Sequence, residues 1–151
     1  MEGFFNFVEL GNIETYTLGK KERLKSRKAI EQLFVGGKSF SLFPFKVVYQ
    51  KTVNNTDPQI VNQKLQTAFS VSKRYFKKAV HRNRIKRLMR EAYRLQKNEL
   101  QNSLLQCNQS MAVFIIFLGN ELPEYPLVFL KMAAVLKRLQ KIAHDETVAN
   151  S

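Results

Sequence analysis

The stretch KKAVHRNRIKRLMREAYRLQK, positions 77–97, constrains the fold of this chain more than any other. Nine of its residues are Lys or Arg and only Glu91 is acidic, yet Ile85, Leu88, Met89, Ala92 and Leu95 recur at the step of a packed helix. A helix of about 22 residues, roughly 33 Å long, satisfies both patterns at once. Steps of four put Arg82, Lys86, Arg90 and Arg94 in one row, widened by Arg87 and Lys97, while the apolar residues fall on the opposing side. Docking and charge therefore need not compete. Neither end of the segment carries a clear capping residue.

The charge is not local compensation for acids elsewhere. The chain of 151 residues holds 25 Lys plus Arg against 12 Asp plus Glu, a net charge of +13. Such self-repulsion disfavours a compact state unless a polyanion lies opposite. Adding the preceding SKRYFKK brings Lys73, Arg74, Lys77 and Lys78 into the same tract, so positions 73–97 carry eleven basic residues and one acid. A surface helix stabilised by its own side chains mixes Glu with Lys, and this one does not. Anionic membrane is the weaker match, because a membrane-bound helix needs an exposed apolar face, and here that face is needed for packing. Phosphate backbone is the natural counterpart, each neutralised phosphate releasing a counterion.

Around this helix the chain reads as one α+β domain. KKERLKSRKAIEQLF places Leu24, Ile30, Leu33 and Phe34 at near-helical steps and stops at Gly36-Gly37, which predicts a first helix over about 26–35. SFSLFPFKVVYQ alternates around Pro44, with Phe45, Val47 and Tyr49 on one face of a strand and room for a short edge strand before the proline. KTVNNTDPQIVNQ reads as a loop. QTAFSVS forms a strand with Phe69 and Val71 on one side and Ala68, Ser70 and Ser72 on the other. MAVFIIFL, at 111–118, is apolar on both faces, as in an interior strand covered on both sides or paired in parallel. YPLVFLKMAAVLKRLQKIA opens a last helix at Pro126 with Val128, Met132, Val135, Leu139 and Ile142 in one stripe. The domain boundaries expected are an N-terminal extension over 1–19, the folded unit over 20–143 and a flexible tail over 144–151.

Catalytic chemistry finds little support. Cys107 is the sole cysteine, which excludes an intramolecular disulfide and suits a buried inert thiol in a reducing cytosol. His81 and His144 are the two histidines, one inside the arginine run and one near the chain end, and the acids show no metal-ligand spacing, so neither catalytic nor metal-ligating residues are assigned. The first nineteen residues lack a signal peptide's basic start, and MAVFIIFL is too short to span a bilayer as a helix. A cytoplasmic protein with no membrane partner and no obligate protein partner is expected. Its strand-rich context favours RNA over DNA, with Phe34, Phe45, Tyr49, Phe69 and Tyr75 as candidate stacking platforms.

AVHRNRIKRLMREAYR, together with RLKSRKAIEQLFVGG and FSVSKR in the same order and at similar spacing, resembles the bacterial ribonuclease P protein component over about residues 20–143. The resemblance implies a single α/β sandwich of the ribosomal protein S5 domain 2-like kind. That fold has a mixed sheet of about four strands, three helices and a left-handed crossover through the basic helix. It also implies a protein subunit that binds the catalytic RNA of ribonuclease P and the 5′ leader of precursor tRNA, while the RNA, with bound magnesium, hydrolyses the phosphodiester. Carried over by position, Arg82, Asn83, Arg84, Lys86, Arg87 and Arg90 face the catalytic RNA, with Lys73, Arg74, Lys77 and Lys78 adding RNA contacts. Ile30, Phe34, Tyr49 and Ser72 fall at a leader-binding cleft between the first helix and the sheet. Strand phase around Pro44 decides whether Val48 or Tyr49 lines it. Ile30 stands where relatives often have Phe, and Ala68 where Gly is common. A structural RNA-binding protein of the ribosomal type is the alternative that charge and fold class alone leave open.

Overall fold

The computed structural model describes residues 18–19, 22–53 and 65–149. Most of the expected N-terminal extension and the loop expected after Val53 lie outside the described residues. The elements run α1 (Arg27–Gly36), β1 (Lys38–Leu42), β2 (Phe45–Val53), β3 (Leu65–Val71), α2 (Ala79–Gln96), α3 (Asn98–Gln106), β4 (Gln109–Phe117) and α4 (Tyr125–Ala149).

The sheet has the order β1-β2-β4-β3. β1 and β2 form an antiparallel hairpin turned by Phe43–Pro44, so the edge strand allowed for before the proline is β1. β4 runs antiparallel to β2 and parallel to β3, and the chain crosses from β3 to β4 through α2 and α3. The double apolar pattern of MAVFIIFL is thereby explained: β4 is interior and has one parallel neighbour.

Two-residue alternation divides the sheet into unequal faces. Phe45, Val47, Tyr49, Leu65, Val71, Met111, Val113, Ile115 and Phe117 are buried on one side, where Ile85, Met89, Ala92 and Tyr93 of α2, Leu100 and Leu104 of α3 and the Val128–Leu139 stripe of α4 close over them. Each buried Val, Leu, Ile, Met or Phe side chain among these contributes about 1.5–3 kcal/mol by leaving water. The Tyr93 hydroxyl meets Thr67 Oγ1 at 2.7 Å, which satisfies both polar groups inside this core. The other face is only partly covered. There Leu24, Leu33 and Val48 form a small second cluster with Ala29, Ile30, Ala68, Ala112 and Phe114 beneath α1.

α1 begins at Ser26, whose Oγ accepts the Ala29 N–H, and ends at Gly37, whose N–H donates to Leu33 O at 2.8 Å. A Cβ on Gly37 would press on the carbonyl oxygens of both Leu33 and Tyr49, so this close approach of helix end to strand requires glycine.

Three expectations need correction. The basic helix is 18 residues long and stops at Gln96. A fourth helix, α3, follows it directly where three helices were expected, over residues to which the sequence pattern assigned no element. The break falls at Lys97, which is no surface cation: its side chain is fully buried and its Nζ lies 2.5 Å from Glu22 Oε1. Anchoring there turns Leu100 and Leu104 onto the core. Lastly, α4 continues as helix to Ala149, past the boundary expected near residue 143.

Candidate nucleic-acid interface

α2 lies with its apolar stripe on the sheet and its other side outward. Asn83, Arg84, Arg87 and Arg90 are exposed and Lys86 is half-buried, while Lys73, Arg74, Lys77 and Lys78 are exposed on the segment leading into the helix. The one acid on α2, Glu91, is held by Arg94 through Nη2–Oε1 and Nε–Oε2 contacts of 2.5 and 3.1 Å. That hydrogen bond holds the Glu91 carboxyl below its ordinary value and raises Arg94. Glu91 therefore neutralises its own neighbour and leaves the charge of the remaining ridge intact.

The amino end of α2 is electrostatically unusual. Lys78 caps it with no side-chain hydrogen bond, and no acid occupies the first turn. Unpaired N–H groups there make a partial positive end, and cations beside them are unfavourable unless an anion is close. Arg82 does not join the outward row. Its Nη1 donates to Phe76 O at 2.7 Å and Lys77 O at 2.8 Å, tying down the loop that enters the helix. Arg82, expected on an RNA-facing surface, is half-buried and clamps this loop, because steps of four drift round the helix and bring residue 82 to the flank of the apolar stripe.

On the far side of the sheet, α1 covers part of the face over the small second cluster. Ile30 is half-buried there, and Phe34, 49% exposed, packs edge-on against Phe114 with ring centroids 5.0 Å apart. Val48 belongs to this face, and alternation carries Ser70 and Ser72 to it as well. Tyr49 does not. It points into the main core beside Phe40, so the β2 residue on the α1 face is Val48. Ser72 Oγ accepts the Arg74 N–H at 3.2 Å, and the Arg74 guanidinium lies 5.5 Å from the Tyr75 ring centroid. Of the five candidate platforms, Phe45 and Tyr49 are core, Phe69 packs edge-on against Tyr93, and Phe34 and Tyr75 remain exposed.

Phe114 was not distinguishable from the sequence, since both phases of β4 are apolar. Cys107 is half-buried, and its Sγ lies 3.6 Å from His144 Nδ1, a pairing with no local signal. Among the described residues no group of three or more His, Cys, Asp or Glu assembles that could hold a metal ion, and no helix is long and apolar enough to cross a membrane.

A mixed four-stranded sheet, helices on one face with a cationic ridge outermost, and a partly open second face under a short helix define a class of small basic α+β proteins. The family model described as Ribonuclease P matches residues 18–140. The chain is 38% identical over 126 residues to a protein of Porphyromonas gingivalis strain W83 named ribonuclease P protein component, covering 83% of this chain and 88% of that one. A Chlorobium phaeobacteroides protein of the same name is 42% identical over 91 residues, 60% of this chain and 61% of that one. The solved RNase P protein of Thermotoga maritima superposes with a TM-score of 0.58 at 25% identity, covering 78% of this chain and 96% of that one. A mutant Staphylococcus aureus RNase P protein shares the fold at 21% identity, with a TM-score of 0.52 and coverage of 93% and 96%. This chain belongs to the ribonuclease P protein component family.

Proposed function

We propose that the chain is the RNA-binding subunit of a ribonuclease P holoenzyme and assists removal of the 5′ leader from precursor tRNA. The exposed side of α2, with Arg84, Lys86, Arg87 and Arg90, lies along the catalytic RNA. Lys73, Arg74, Lys77 and Lys78 extend that contact around the uncapped helix start. The cleft under α1, lined by Ile30, Phe34, Val48 and Phe114, receives the leader. Stacking on an exposed ring tolerates any base, at roughly 1–3 kcal/mol per base, which suits leaders of varied sequence.

The observation that carries this reading is the state of α2: Ile85, Met89, Ala92 and Tyr93 of its apolar side are buried in the core, and its one acid is occupied by Arg94. A ridge so placed has no partner left within the described protein, and a phosphate backbone supplies one. The protein's part is to bind and position, while the catalytic RNA carries the hydrolysis. Magnesium, held by the RNA, supplies the metal chemistry of that step, and no step of it is assigned to this chain's residues.

Reconstitution tests the proposal. With the cognate catalytic RNA at low magnesium, adding this chain is expected to restore cleavage of precursor tRNA, and the chain alone is expected to cleave nothing. Cleavage by the chain alone, or no effect on the RNA, would overturn the reading. Capture of ribosomal RNA in place of one dominant partner would favour a structural role.

A further inference from the structure

The two surfaces described above lie on opposite sides of the sheet, and a groove at the sheet edge takes lining residues from each side. β3 is an edge strand, and the segment before α1 runs beside it: Leu24 N–H donates to Thr67 O at 3.0 Å, and Arg23 pairs with Thr67 as a parallel bridge. Beyond that bridge the outer edge of β3 is bounded by α2, leaving a groove of about 260 Å³ lined by Leu18, Arg23, Leu24, Lys25, Thr67, Ala68, Phe69 and Arg90. Three of these residues are cations, drawn from two elements far apart in sequence. None of the lining residues is acidic.

We propose that this groove at the β3 edge is a phosphate track, in which Arg23, Lys25 and Arg90 grip an RNA backbone as it passes from the α2 ridge to the α1 side. The inference rests on the RNA-binding reading above and adds to it a site and a path.

Three observations support it. First, the lining residues come from both faces, since Ala68 belongs with the α1 cluster and Phe69 with the main core, so the groove lies at the edge where the two sides meet. Second, Arg23 is held at the rim. Arg23 Nη2 reaches Leu18 O at 3.4 Å, and the neighbouring Glu22 is fastened to Lys97 Nζ, to Gln101 Nε2 at 2.6 Å and to the Gly19 N–H at 2.7 Å. The one carboxylate beside Arg23 and Lys25 is thus spent on other donors. Third, an extended strand turns every second main-chain amide toward the same edge. Thr67 faces outward to Leu24, so Phe69 faces outward into the groove, adding a main-chain N–H that suits a phosphate oxygen. Charge and backbone contacts of this kind read no sequence, which is what a path for varied RNA requires.

The test is binding of the full chain to its cognate catalytic RNA alone, and of precursor tRNA to the assembled holoenzyme, each across a salt series. Arg23→Gln, Lys25→Gln and Arg90→Gln are each expected to weaken binding roughly three- to tenfold at moderate salt and to lower the log–log salt slope by about 0.7–0.9. Lys131→Gln, a cation of α4 that does not line the groove, serves as the control and should change neither. Loss with catalytic RNA alone identifies the backbone in the groove as that of the catalytic RNA; loss confined to precursor identifies the leader. All three substitutions lie at exposed side chains, and an unchanged thermal midpoint separates binding from folding. Wild-type affinity and slope in Arg23→Gln and Lys25→Gln, with Arg87→Gln and Arg90→Gln impaired as ridge residues, would overturn the groove while sparing the RNA-binding reading. Failure of the wild-type chain to bind either RNA would overturn both.

Discussion

The Lys97 ammonium, sealed from solvent at the junction of α2 and α3, meets Glu22 Oε1 at 2.5 Å across 75 residues of chain. One contact thus ties the segment before α1 to the helix pair that carries the cationic ridge. Its two partners are unequal, since Lys97 has no exposed surface and Glu22 keeps some.

That inequality predicts asymmetric costs. Glu22→Ala strips a buried ammonium of its carboxylate and is expected to cost about 3 kcal/mol, whereas Lys97→Met removes the buried charge itself and should cost about 1 kcal/mol or less. Urea unfolding of the two variants measures the difference. Equal losses would mean that the ion pair does not govern this junction.

The same contact predicts acid sensitivity. Burial raises the Glu22 carboxyl, but hydrogen bonds from Lys97, Gly19 and Gln101 together outweigh it and hold the group below its ordinary value of 4.5. A depressed folded value means stability that is fully present above 4.5 and drains away as pH falls through the lower folded value. Wild type should therefore lose stability in that acid window more steeply than Glu22→Gln, as followed by thermal unfolding across pH.

Arg82 and Arg87 should separate structure from binding. Arg82→Ala releases the Phe76 and Lys77 carbonyls and is expected to cost about 1 kcal/mol of stability. Arg87→Ala should leave stability unchanged while reducing the salt slope of RNA binding by about one contact. Thermal melts and binding titrations on both variants check the contrast, and an unchanged slope for Arg87→Ala would remove that residue from the interface.

Phe34 and Phe114 should act as a pair. Phe34→Ala is expected to weaken binding of leader-bearing precursor by roughly 1 kcal/mol relative to mature tRNA. Phe114→Leu keeps an apolar floor but removes the ring edge that orients Phe34, so it should shift the same ratio by less. Equal losses for precursor and mature tRNA would reject the cleft.

Gly37→Ala should destabilise by about 1–3 kcal/mol, because the added methyl presses on two carbonyls that the α1 terminus and β2 hold in place. Gly36→Ala, with ordinary space around it, provides the comparison in the same denaturant series.

How much was legible in the residues follows from the range of each signal. Periodicity is local, so α1, β2, β3, the body of α2 and the stripe of α4 were readable, as was the division of β3 into a greasy and a small-residue side. Phase is lost where both faces are apolar, which hid Phe114 in β4 and left Val48 and Tyr49 as alternatives. Charge reads as surface by default, so Lys97 was placed on the ridge although a carboxylate far up the chain draws it inside. The clamp made by Arg82 was hidden for a related reason: a guanidinium in a basic run carries no mark of the main-chain oxygens it will find. The groove along β3 needs three cations from two segments to converge, and nothing in either segment alone announces that.

The covered underside of α2 has a consequence for encounter rates. Because the core already fixes the helix axis, a docking polymer finds its row of positive heads laid out in advance, and only the tips of long side chains must still settle. Association then resembles the closing of a latch on a rigid bar, with little main-chain ordering left for the moment of contact.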